Sequence, residues 1–132
     1  MAGSFTDYLE NALLDSYFGS GTPATLYVGL STTAITDAGG NITEPVGNNY
    51  ARIAVTNNAT NWPAASGGAK SNGAAFTTGI ASGSWGTVTD FFISDASSGG
   101  NISVYDVMTT ALAVGSGGTV NFAIGEIDVT LD

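Results

Sequence analysis

The chain has no cysteine and no histidine, and its 132 residues include only two basic side chains, Arg52 and Lys70. Without cysteine there are no disulfides and no thiolate metal sites. Without histidine the commonest general base and metal ligand is gone. Eleven acidic residues set a formal net charge of −9 and a pI near 4.1. Phosphate recognition needs clustered Lys and Arg, so nucleic acid and anionic membrane surfaces are excluded as partners. Charged residues make up 10% of the chain, well below the usual quarter or so. Much of the surface is therefore neutral and suited to coverage by neighbours. Apolar runs extend for only a few residues, too short for a membrane-spanning helix. Residues 1–7 have no basic leader region, so a soluble protein made in a cytoplasm is expected.

What the chain does have is glycine, 19 residues of it, and a 43% hydrophobic fraction. The length fits one domain over residues 1–132. A helix is predicted over about residues 4–18. Ser4 or Thr6 serves as its N-cap, Asp7 sits in the first turn, and Gly19 and Pro23 stop it. Phe5, Tyr8, Leu9, Ala12, Leu13, Ser16 and Tyr17 recur at three- and four-residue spacing. This apolar face docks on the chain's own sheet or on a partner subunit.

From about residue 24 to 131 the pattern is β. Segments 24–31, 50–56, 74–78, 85–94 and 101–108 alternate apolar and polar residues, and Gly-rich turns separate them. Near the end, Val120, Phe122 and Ile124 have even parity, whereas Ile127, Val129 and Leu131 have odd parity. Side chains alternate strictly along a strand, so this slip requires a bulge, hairpin or corner near Gly125. One helix with roughly seven short strands predicts a mainly β fold, an antiparallel β-sandwich. Residues 57–73 lack a clear period and read as a long loop.

Few residues offer chemistry. Asp37, Asn41 and Glu44, or Asp95 with Asn101, carry oxygens that suit Ca²⁺, but beside Gly-Gly they read as turn residues. The similar segments 36–43 and 94–103 reflect the same turn chemistry more simply than a duplication. Glu126 and Asp128 share a strand face, as a glycosidase pair would, but that face is the solvent side opposite Ile127 and Val129. No metal, cofactor or catalytic residue is expected. Arg52 stands almost alone among acids and should hold one specific carboxylate, within the subunit or across an interface. Lys70 lies among Gly, Ser and Asn and reads as solvated. Trp85 opens a strong strand and reads as core. Trp62 either caps the fold or anchors a neighbour.

The order of these pieces resembles the small proteins of tailed bacteriophages usually labelled phage tail fibre or virion structural protein. The resemblance runs through the helix at 5–15, the strand Leu26-Tyr27-Val28-Gly29-Leu30-Ser31-Thr32, Glu44, and Asn49-Tyr50-Ala51-Arg52. It continues with Asn61-Trp62-Pro63-Ala64, Trp85-Gly86-Thr87-Val88-Thr89, Ile93-Ser94-Asp95 and Gly99-Gly100-Asn101. It ends with Thr119-Val120-Asn121-Phe122 and Val129-Thr130-Leu131-Asp132. It implies a non-enzymatic virion component with no catalytic residues. A small chain without a repetitive shaft suits a capsid decoration or cement protein. The alternatives are a tail-associated or fibre-adaptor protein, and a receptor- or carbohydrate-binding module that stacks Trp62 or Tyr50 on a sugar. Other virion proteins are the expected partners, with a homo-oligomer such as a trimer burying the helix face. Phe5, Leu9, Leu13, Tyr17, Arg52 and Trp62 are the interface or structural candidates.

Overall fold

A computed structural model describes residues 1–131, so Asp132, the last residue of the resemblance, lies outside the described residues. The elements run α1 (Asp7–Tyr17), β1 (Thr25–Ser31), β2 (Ile53–Thr56), β3 (Ala69–Ser71), β4 (Phe76–Thr77), β5 (Gly86–Ser94), β6 (Ile102–Val114), β7 (Asn121–Phe122) and β8 (Asp128–Thr130). The chain is mainly β, with antiparallel sheets and one short helix, in keeping with a β-sandwich carrying an N-terminal helix. Strands pair as β2-β1-β5-β6, β3-β8 and β4-β7. The chain groups into two compact units, one of residues 1–25, 56–76 and 122 onward, the other of 26–55 and 77–121.

In the first unit α1 begins after Thr6, whose hydroxyl makes no capping bond, and ends at Phe18. Gly19 then takes φ +89°, and a Cβ there would come within 2.7 Å of the Trp62 carbonyl oxygen. Both constraints demand glycine. Asn57 holds this stop in place from a distance. Its Oδ1 accepts from Gly19 N–H at 2.6 Å, and its Nδ2 donates to the carbonyls of Tyr17 (2.9 Å) and Pro23 (2.8 Å). The core of the unit contains Leu14, Phe18, Trp62, Phe76, Ile127 and Val129. Trp62 lies between the rings of Phe18 and Phe76, at 5.2 and 5.5 Å between centroids.

The parity slip near Gly125 is a corner rather than a hairpin. Gly125 adopts φ +77°, and Glu126 N–H bonds back to the Ala123 carbonyl at 3.0 Å. The strands on either side separate: β7 pairs with β4, and β8 with β3. Asn72 braces the corner. It accepts from Ile127 N–H (2.9 Å) and donates to the carbonyls of Ala123 (2.9 Å) and Ala74 (2.8 Å). The strand β3 falls within the segment read as a long loop, and it pairs Lys70 with Val129 across the ladder.

The second unit is organised by the four-stranded sheet. Leu26, Val28 and Leu30 of β1 are buried, as the alternation predicts, and β5 is buried on both faces from Asp90 onward. Gly29 sits opposite Phe92 in the β1–β5 register. A Cβ at position 29 would meet Phe92 Cζ at 2.1 Å, so the aromatic ring takes the space a side chain would need. Trp85 is core, and its indole N–H donates to the Asn48 carbonyl at 2.9 Å. β2 begins at Ile53 rather than Tyr50. β6 runs six residues past the predicted end at 108, and its pairing with β5 shifts register between Val88 and Asp90.

Candidate functional site

Three clusters bear on function: the outer face of α1, the Arg52 network and the surroundings of Lys70. On α1 the apolar stripe turns away from its own unit. Just before the helix Phe5 is 56% exposed, and along it Tyr8 is 82%, Leu9 39% and Leu13 42% exposed. Ala12 is exposed as well. The inward side carries Leu14 together with polar groups. Asn11 Oδ1 accepts from Gly68 N–H at 2.8 Å, and Asp15 Oδ1 accepts from Ala65 N–H at 2.9 Å. The helix is thus attached by hydrogen bonds around one buried leucine. Tyr17 is half-buried and packs edge-on against Phe18 at 5.0 Å, apart from the stripe.

Lys70 corrects the solvated reading. Its side chain is 2% exposed, and its ammonium donates to Asp15 Oδ1 at 2.6 Å and to the carbonyl oxygen of Phe18. The carbonyls at a helix C-terminus carry partial negative charge, which together with the carboxylate compensates the cost of burying the cation. The hydrogen bond from Lys70, then that from Ala65 N–H, holds the Asp15 carboxyl below its ordinary pKa. Asp15, Lys70, Phe18, Gly19, Ala59, Trp62 and Ala64 line a depression of about 170 Å³. Its two charged walls are paired with each other.

Trp62 is 1% exposed, which places it in the core, the structural one of its two expected roles, and leaves its ring closed to a neighbour or a sugar. Its indole N–H is buried without a hydrogen-bond partner. Tyr50 is likewise committed. Its ring meets Trp85 edge-on at 5.4 Å, its hydroxyl accepts from Leu30 N–H at 3.0 Å and also meets Glu44, and burial raises its pKa.

Arg52 ties the second unit together. Nε and Nη2 donate to Glu44 Oε1 at 2.8 and 2.5 Å. Nη1 donates to the carbonyls of Ala96 (2.7 Å) and Gly99 (2.9 Å), and the guanidinium lies 4.9 Å above the Phe92 ring. With the side chain 6% exposed, this fork fixes the Gly-rich turn after β5 to the segment before β2. Asp95 shapes the same turn by accepting from Asn101 N–H (2.7 Å) and its Nδ2 (2.8 Å), which lowers its pKa. The similar turn at 36–40 closes differently, through Thr36 Oγ1 accepting from Gly40 N–H at 3.1 Å.

Glu126 and Asp128, the paired acids on one strand face, each accept a hydrogen bond within the fold. Glu126 Oε2 accepts from Ala123 N–H at 2.6 Å, and Asp128 accepts from the Ser71 hydroxyl. Among the described residues no group of His, Cys, Asp and Glu is arranged to hold a metal. Missing from the sequence reading were Asn11, Asp15 and Asn57, whose partners lie far along the chain. One signal was present: with only two cations, each had to find a carboxylate. No helix is long and apolar enough to cross a membrane.

None of the curated proteins compared with the chain matches it. A family model described as Podophage GP4 fiber I protein gp80 matches residues 4–130, a span that includes α1 with its whole outward stripe, the Arg52 network and the corner at Gly125. The chain belongs to the Podophage GP4 fiber I protein gp80 family.

Proposed function

We propose that this chain is a non-enzymatic structural subunit of a bacteriophage tail fibre and acts by packing against other proteins of the particle. The family match over residues 4–130 carries the reading, since membership makes the chain a tail-fibre-type virion structural protein. The composition supports it: histidine and cysteine are absent, and both cations are held in ion pairs. The fibre description favours the tail over the capsid-decoration role expected from size alone. The receptor-binding alternative loses its proposed contact residues, because Trp62 and Tyr50 are engaged inside their units. Immunogold labelling of purified particles, with a copy count relative to the major capsid protein, tests the assignment. Label on the fibres at a few copies per attachment point is the expected outcome. Label spread over the capsid at a copy number matching the capsomers would refute it in favour of decoration.

A further inference from the structure

We infer that the outward stripe of α1 docks in an apolar groove, rimmed by lysine or arginine, on a different protein of the particle; this rests on the fibre reading above. The first observation is direction. Phe5, Leu9 and Leu13, one turn apart, face solvent with Tyr8 and Ala12, while Asn11 and Leu14 face the unit. A surface helix ordinarily buries its apolar side. Here the polar side holds the helix, which leaves the anchors of a helix-in-groove contact unused by the chain's own fold.

The second observation is area. The exposed fractions of Phe5, Tyr8, Leu9 and Leu13 amount to on the order of 400 Å². Each partner of a stable pair buries about 800 Å². Pairing this narrow helix with a copy of itself supplies only half of that, whereas a groove closing around it also takes the flanks. The third observation is charge. Asp7 in the first turn and Asp15 in the last put negative charge at both ends of the helix, and Asp15 remains 43% exposed although Lys70 binds it. Arg52 and Lys70 are both locked in buried pairs, so a second copy brings no cationic side chain to meet these acids. A basic rim does.

The test uses particles propagated with the wild-type gene or with Leu9→Glu/Leu13→Glu, Tyr8→Glu or Asp7→Lys. It reads copies per purified particle, with circular dichroism and sedimentation of each purified protein. The wild type should sediment as a monomer at micromolar concentration. The double variant should fold yet fall about tenfold or more in the particle, the loss of ~1.4 kcal/mol or more of binding. Tyr8→Glu, at a site too exposed to disturb folding, and Asp7→Lys should each lower the count several-fold. Unchanged incorporation of Leu9→Glu/Leu13→Glu and Tyr8→Glu overturns the docking surface. Unchanged incorporation of Asp7→Lys overturns the basic rim. Self-association of the wild type that Leu9→Glu/Leu13→Glu abolishes makes a second copy the occupant and overturns the inference. Absence of the wild type from particles is a different failure, that of the fibre reading itself.

Discussion

Removing the Arg52 guanidinium should cost the second unit about 4 kcal/mol. Arg52→Ala withdraws two donors from Glu44 and two from the carbonyls of Ala96 and Gly99, and uncovers the Phe92 ring. Breaking a buried ion pair from one side costs about 3–5 kcal/mol, because the partner charge stays behind. Glu44 is 24% exposed and recovers some hydration, which pulls the value down. The lost cation–π contact adds about 0.5–1 kcal/mol. Against a total stability of about 5–15 kcal/mol this is a large fraction. For a chain of this size it lowers Tm by roughly 10–20 °C. Arg52→Lys keeps the charge but not the fork, and one ammonium cannot serve Glu44 and two carbonyls in that geometry. It should lose about half as much, near 2 kcal/mol. Urea unfolding followed by tryptophan fluorescence in a Trp62→Phe background reads the unit through Trp85, which lies in the same unit as Arg52. A loss below about 1 kcal/mol for Arg52→Ala, or Arg52→Lys matching wild type, would refute the structural assignment.

Three further outcomes are expected. Asn57→Ala leaves Gly19 N–H and the Tyr17 and Pro23 carbonyls without their partner, and should destabilise by about 3 kcal/mol in a thermal melt; a change under 1 kcal/mol would contradict the bracing role. Gly29→Ala drives a methyl into the Phe92 ring and should cost about 2–4 kcal/mol, with Phe92→Leu restoring part of it. If Gly29→Ala melts like wild type, the close approach is not limiting. The depressed pKa of Asp15 means its contribution is complete above the unfolded carboxyl value, near 4, and is lost as pH falls below it. Tm should therefore drop on acidification, and less steeply in Asp15→Asn; parallel pH profiles for the two proteins would count against the Lys70 pairing.

Elements held by local pattern were readable from the sequence. β1 and β5 alternate strongly enough to be read as strands, although both are buried on both faces over their second halves, and the slip around Gly125 required a break that the structure supplies as a corner. What escaped depends on distant partners. β3 is three residues long and has a lysine at its centre, so no apolar period marks it. Lys70 looks solvated among Gly, Ser and Asn until Asp15 and the end of α1 close over it. The predicted strand at 50–56 loses its first half because Tyr50 and Arg52 are drawn into the Glu44 network instead of a ladder. The stripe on α1 was visible, but periodicity does not say which side a helix turns inward. That was decided by Asn11 and Asp15, whose backbone partners lie 57 and 50 residues away.

The burial of both cations has a practical consequence for detecting the protein. Trypsin cuts after lysine and arginine, so it has two sites here, and both are shielded in the folded chain. Cleavage must wait for local opening, which makes the native protein resistant to this protease. Even full digestion yields only residues 1–52, 53–70 and 71–132, two of them too long for routine peptide detection. A tryptic survey would therefore undercount the chain in the particle. A protease that cuts after aromatic residues or beside acids, applied to denatured protein, gives the faithful count.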